Sequence, residues 1–527
     1  MTAAATESAA KQKDAHVLIV GAGPTGLVLA LWLARRGVRI RIVDKAAEAG
    51  TTSRALAVQS RTLEFYAQLG LAEEVVARGR WATGADLRAA GKHAAHIDFA
   101  GMGAEVSPFH YLLIFPQDEH EKLLVEYLAK AGVEVERATE LVNFESTTDG
   151  IAARMRKHDG TEETCTASYI AGCDGARSVV RETLGIGFPG GTYEHVFYVA
   201  DVEAEGPAMN GGLQIALERN EFLAVFPMQG EGRARLIGTV HEGSEQKREQ
   251  LSWDDVGRKV IQQLRIDVKK VNWFSTYRVH HRVADRFRQG RAFLLGDAAH
   301  IHSPVGGQGM NTGIGDAVNL AWKLAAVVNG SATESLLDSY EPERIAFARR
   351  LVATTDRAFT GVTSNSALAR LIRLHIAPVV VPLMFSLSFM RRLLYRTISQ
   401  TNVNYRGSSL SEGNVGPVHG GDRLPWTKLD GGKDNFAPLA SLDWQAHVYG
   451  EARPELRTLC TQRSLPLHVF PWRPEMQRAG LRRNAVYLVR PDGYVALADA
   501  EGRAAPIASY LSARNLTITG CGSTGNS

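Results

Sequence analysis

Val17-Leu18-Ile19-Val20-Gly21-Ala22-Gly23-Pro24-Thr25-Gly26, followed after a helical stretch through Arg36 by Ile40-Arg41-Ile42-Val43-Asp44, decides the fold of this chain. Each apolar run is short, β-favouring and bounded by turn residues or charge, so each reads as a buried parallel strand. The glycine turn between them opens a helix, and the whole is a βαβ dinucleotide unit. Gly21 and Gly23 permit the tight turn and the close approach of a pyrophosphate, while Gly26 lets helix pack on strand. The helix N-terminus favours the phosphate charge, and Asp44 stands where it can accept ribose hydroxyls. Taken alone, the unit does not separate NAD from FAD.

A second run narrows the choice. Gly296-Asp297-Ala298-Ala299-His300-Ile301-His302-Ser303-Pro304, then Gly306-Gly307-Gln308-Gly309-Met310-Asn311, follows a strand-like stretch at 291–296. A carboxylate at a strand end can hold a ribityl hydroxyl, and glycines let backbone N–H groups approach a flat, partly anionic ring. Pro304 supplies no N–H and stiffens the loop. The pattern is a flavin cradle. The helix expected at 314–328, apolar at Ala317, Leu320, Ala321, Leu324 and Val328, packs as a core helix with its N-terminus toward the flavin, where its dipole suits negative charge on the pyrimidine end. A third segment, Ala171-Gly172-Cys173-Asp174-Gly175-Ala176-Arg177-Ser178, sits between a strand-like and a helix-like stretch, where ligands gather in open α/β sheets. Asp297, His300 and His302 also have a spacing that suits a metal, but that reading leaves the glycines and the βαβ unit unexplained, and no metal is assigned.

Three such segments in this order make the chain resemble the class A FAD-dependent aromatic monooxygenases, the group of para-hydroxybenzoate hydroxylase and the phenol and polyketide ring hydroxylases. The resemblance implies that Gly21, Gly23 and Gly26 hold the FAD diphosphate and Asp44 the adenosine ribose. It places Asp174 and Gly175 near both FAD and a transient NADPH or NADH, Gly296 and Asp297 at the ribityl chain, Arg54 near the phosphates and Gln117 near the ribityl chain. Pro304 and the Gly309-Met310-Asn311 backbone border the reactive edge of the ring. It implies that NAD(P)H reduces FAD, that O2 gives a flavin hydroperoxide, and that oxygen passes to a phenolic or polyketide-like aromatic substrate. A flavin reductase, dehydrogenase or redox-silent flavoprotein on the same scaffold is the alternative.

The expected fold class is α/β: a Rossmann-like FAD-binding domain at 15–190 and 285–360, an inserted antiparallel substrate-binding sheet at 191–284, a helical segment at 361–406 and a small thioredoxin-like domain at 407–514. Residues 1–14 and 515–527 read as a disordered lead-in and tail. Short strands within 193–240 form the sheet that covers the flavin and walls the substrate pocket. Gln214, Phe226, Pro227, Trp273 and Tyr277 are the substrate candidates, beside His280 and His281, of which at most one can face the pocket from a strand. Gly421-Asp422-Arg423-Leu424-Pro425 and Arg490-Pro491-Asp492-Gly493 resemble the phenol hydroxylase tail domain; without paired redox cysteines, its expected role is assembly or stability.

Composition agrees. In 527 residues, 60 basic and 56 acidic side chains leave a net charge of +4, dispersed along the chain, which gives no case for nucleic acid. Four cysteines with neither CxxC nor zinc spacing suit a reducing, cytoplasmic location. The apolar stretch at 376–390 is too short for a membrane span, carries Pro378 and Pro382, and reads as a buried helix pair, with a membrane-surface contact as the alternative. A homodimer is compatible with all of this.

Overall fold

A computed structural model describes residues 14–50, 55–89, 92–99, 101–209, 211–218, 222–240, 251–256, 258–303, 305–363 and 387–518, with residues 376, 380, 383 and 385 between the last two stretches. Arg54, Pro304 and Cys521 lie outside the described residues, as do nearly all of the expected lead-in and tail.

The opening unit forms as β1 (Ala15–Val20), α1 (Pro24–Arg35) and β2 (Ile40–Val43). β1 pairs in parallel with β2 on one side and with strand Glu162–Gly172 on the other, and the latter pairs in parallel with Ala292–Leu294. The registers set Val20 beside Val43 and Gly172, and Gly172 beside Leu294. The glycine turn, the Asp-Gly turn, the Gly-Asp turn and Asp44 therefore all emerge from the carboxyl ends of four adjacent strands, although Gly21 and Gly296 stand 275 positions apart in the sequence. That edge is where a parallel α/β sheet binds its ligand. Leu27, Leu29, Leu31, Trp32 and Leu33 of α1 are buried, each aliphatic among them contributing about 1.5–3 kcal/mol of transfer free energy. Helix Gly309–Val328, almost wholly buried, packs across α1.

The second sheet is broader than the expected insert. Its core is Gly190–Glu205, Asp267–Val283, Arg233–Thr239, Phe222–Pro227 and Leu213–Leu217, but Gly84–Ala89 and Lys92–Asp98 extend one edge and His300–Ile301 the other. The boundary at 191–284 thus leaves out a hairpin that the first segment lends to the sheet. Leu213 pairs in parallel with Ala85, and this cross-segment edge has no local signature in the sequence. Strand alternation splits the sheet into two faces. Tyr198, Ala200, Val202, Leu223, Val225, Ala234 and Leu236 pack with helix Arg258–Gln263, while Phe197, Val199, Ile237, Tyr277 and Val279 form a second cluster with Leu56 and Ile114 of the FAD-binding part.

The C-terminal domain is a four-stranded sheet, ordered Leu467–Phe470, Gln445–Tyr449, Val486–Val489, Val495–Asp499, with a parallel first pair and helices Pro454–Gln462 and Ala504–Ala513, a thioredoxin-like arrangement. Its Cys460 is buried, and burial pushes the thiol up to about 11, so it carries no thiolate at neutral pH. The expected buried helix pair at 376–390 is corrected. Its described residues Ile376, Val380, Leu383, Leu387 and Phe389 are 41–71% exposed, and helix Ser388–Ile398, although it carries Phe389, Leu393 and Leu394 on one face and Arg391, Arg392 and Arg396 on the other, buries no residue among those described. No helix among the described residues is long and apolar enough to cross a membrane.

Candidate flavin and substrate site

The glycine turn is held by its neighbours. Gly21 has φ +103°, and a Cβ there would overlap the Cys173 carbonyl; a Cβ at Gly26 would overlap the Gly21 carbonyl oxygen. The turn can therefore lie against the Asp-Gly loop only with glycine at both positions. Gly23 meets no atom within 4 Å of its missing Cβ, so space is left there for a ligand to approach the head of α1. Asp44 reaches back across the sheet edge: its Oδ2 accepts from Ala22 N–H at 2.7 Å and its Oδ1 from Ala46 N–H at 2.8 Å.

Asp174 caps the helix that follows it, accepting from Val180 N–H at 3.2 Å, while its Oδ1 is buried without a hydrogen-bond partner among the described residues. Burial raises its carboxyl above the usual range. An orphaned, largely dehydrated acceptor beside the glycine turn fits a ligand that brings hydroxyl groups. Gly296 (φ +57°) and Gly313 both press on Thr25 of α1, which locks the Gly-Asp loop to the glycine turn and leaves Asp297 exposed at the sheet edge. Helix Gly309–Val328 starts beside this loop with no side-chain cap, so its first N–H groups and dipole stay available to a partly anionic ring.

Asn311 uses its side chain elsewhere. Its Oδ1 accepts from Gln59 N–H and Thr62 Oγ1, and its Nδ2 donates to the Ala57 and Gly307 carbonyls, so it staples the loop to the 57–62 segment. Gln117, at the start of helix Gln117–Lys130, donates to Glu121 at 2.7 Å. His300 is turned into the protein interior, 2.7 Å from Asp316, and His302 bonds the Ser303 carbonyl, so their side chains do not converge with Asp297 as a ligand set. Together the cradle fits FAD: open space at Gly23, an orphaned acceptor at Asp174, an exposed carboxylate at Asp297 and an uncapped helix.

The substrate candidates divide by strand parity. Phe226, Trp273 and Tyr277 join the cluster that faces the FAD-binding part, with Phe99, Tyr193 and Phe222 beside them. Gln214 and Pro227 do not. Gln214 pairs with Val225 and Pro227 with Ala234, both on the opposite face, and Gln214 is spent on Asp86 at 2.8 Å. Adjacent strand residues point to opposite faces, so Phe226 and Pro227 could never line one wall together. The same parity puts His281 on the aromatic face, its ring 4.8 Å from that of Tyr193, whose hydroxyl donates to Asp356; His280 lies on the other side, bonded to Thr192. Sequence reasoning missed Arg235, buried on the aromatic face, bidentate to Asp201 at 2.6 and 2.7 Å and 5.7 Å from the Trp273 ring. An arginine between Ala234 and Leu236 in a strand was the available signal.

Comparison with known proteins bears on this geometry. The FAD binding domain family matches residues 14–355, and 6-methylpretetramide 4-monooxygenase of Streptomyces rimosus is 34% identical over 91% of this chain and 90% of its own. The chain belongs to the FAD-dependent aromatic monooxygenases. Pentachlorophenol 4-monooxygenase of Sphingobium chlorophenolicum is 32% identical over 79% of this chain and 76% of its own. Among solved structures, a ternary complex of aklavinone-11 hydroxylase with FAD and aklavinone aligns at a TM-score of 0.78 and 25% identity, covering 96% of this chain and 100% of that one. This monooxygenase therefore uses FAD, reduced by NAD(P)H, and the reductase and redox-silent alternatives find no support.

Proposed function

We propose that the enzyme hydroxylates a phenolic, fused-ring polyketide-like substrate held between the aromatic face of the second sheet and the flavin ring. The reading is supported above all by that face, where Phe226, Trp273 and Tyr277 align on one side of the sheet next to the FAD-binding part. Flat apolar rings present large area at small entropic cost to a flat substrate. Relatives that act on polyketide rings, among them the 6-methylpretetramide enzyme, favour this class over a small benzoate.

In this reading Gly21, Gly23 and Gly26 admit the diphosphate and Asp44 the ribose. Asp174 and Asp297 take hydroxyls of the ribityl side, and the Gly309–Asn311 backbone meets the pyrimidine edge. Bound FAD supplies the redox chemistry with O2. The protein orients the ring and excludes water. NAD(P)H oxidation by the FAD-loaded enzyme across phenols, hydroxyanthraquinones and aromatic acids tests the reading, with oxygen uptake and product mass recorded together. Stimulation by hydroxyanthraquinones with a gain of one oxygen atom supports it; turnover of simple phenols or benzoates alone, with polyketide-like rings inert, overturns the substrate class.

A further inference from the structure

A chain of buried charge runs from the flavin loop to the C-terminal domain. Asp316, fully buried in helix Gly309–Val328, accepts from Gly296 N–H at 3.0 Å and from His300 Nε2 at 2.7 Å through Oδ2. Its Oδ1 accepts from Arg344 Nε at 2.5 Å. Arg344 also donates to the Thr312 carbonyl at 3.0 Å and to the Tyr405 hydroxyl at 2.9 Å. Its neighbour Glu343 accepts both guanidinium nitrogens of Arg490, at 2.7 and 3.0 Å, and is bonded as well by Lys323, Asn319 and Ser408. Arg490 is bidentate to Asp492 in the same turn, and its guanidinium lies 5.2 Å from the Tyr405 ring and 5.6 Å from that of Tyr494.

Glu343, Lys323 and Arg490 are each fully buried, in the body of a domain contact rather than at its rim. Buried ion pairs add little net stability compared with apolar packing of equal volume, but breaking one is costly, so such groups fix geometry. Here they fix one geometry in particular. Adjacent residues on one helix, Glu343 and Arg344, take the C-terminal turn on one side and the acceptor of Gly296 N–H on the other.

We propose that the Arg490–Gly493 turn of the C-terminal domain is a positioning element for the flavin loop, acting through Glu343, Arg344 and Asp316 on Gly296 and His300. The domain is then part of the flavin site's support. This rests on the flavin placement given above. A disturbance at the turn reaches the cofactor by shifting the backbone that presents Asp297.

The test is made on the full-length holoenzyme with Asp492→Asn and Tyr405→Phe, the second removing one hydroxyl while keeping the ring. FAD dissociation constant, flavin absorption spectrum, midpoint potential and apoprotein melting temperature are measured for each. Arg478→Ala, which cuts an exposed ion pair in the same domain, serves as control. The expected result is a five- to tenfold weaker FAD affinity with a displaced flavin spectrum in both variants, larger than any change in the control. A lowered melting temperature with FAD affinity and spectrum unchanged would show that the turn is only adhesive and overturn the proposal. Asp297→Ala, run alongside, separates the two claims: if it leaves FAD binding intact, the flavin placement has failed instead.

Discussion

At the scale of single residues, the cradle depends on one exposed carboxylate and two glycines that cannot be replaced. Asp297→Ala removes a charged acceptor from the sheet edge; a hydrogen bond of that type contributes roughly 1.5–3 kcal/mol. FAD affinity should fall about tenfold or more, read from the flavin-to-protein ratio after gel filtration, and a fully loaded variant would reject the ribityl role. Gly26→Val should be harsher. Its side chain would have to occupy the position of the Gly21 carbonyl, so the expected outcome is loss of FAD binding together with a lower melting temperature. Both residues were legible in the sequence because turn chemistry is local. Arg235 was not, and for the His280–His281 pair the sequence left open which one faces the pocket, since both questions depend on which face of a distant sheet a residue occupies.

Individual elements were easier to find than their partners. The βαβ unit and the short strands of the insert show in apolar periodicity, yet the parallel pairing of Leu213 with Ala85 joins segments over a hundred residues apart, and neither strand carries a mark of it. Parity within a strand divides the substrate candidates for the same reason: Gln214 and Pro227 are one residue out of phase with the aromatic face. Trp273→Ala should therefore raise KM for the aromatic substrate several-fold while FAD affinity stays unchanged. Gln214→Ala should leave KM near the parental value, and steady-state kinetics with the substrate found in the panel distinguishes the two. Equal effects of both would contradict the assignment of faces.

Across the whole molecule, buried histidines tie stability to pH. Burial lowers His302 to about 4, and His120 and His447 to about 3, from an ordinary value of 6.5. With depressed pKa values in the folded state, the unfolded chain binds more protons between those limits, so stability is fully present above about pH 6.5 and lost as pH falls toward 3. Chemical denaturation at pH 7 and pH 5 should show lower stability at pH 5, and His120→Leu should flatten that difference; an unchanged slope would place the pH sensitivity elsewhere. The thioredoxin-like domain was visible as a unit in the sequence. Its entry into the flavin domain through Arg490 was not, because ion pairs between residues 147 positions apart leave no pattern.

The central claim is that FAD at the joined carboxyl ends of these strands delivers oxygen to an aromatic ring lying on the Trp273 and Tyr277 face. Single-turnover reaction of the NADPH-reduced holoenzyme with 18O2 and a hydroxyanthraquinone, followed by mass analysis, tests it most directly. The account predicts a product heavier by one 18O atom, in yield approaching one per flavin and reduced in Trp273→Ala. Peroxide formed in full with no label in any product, from substrates that bind and perturb the flavin spectrum, would contradict it.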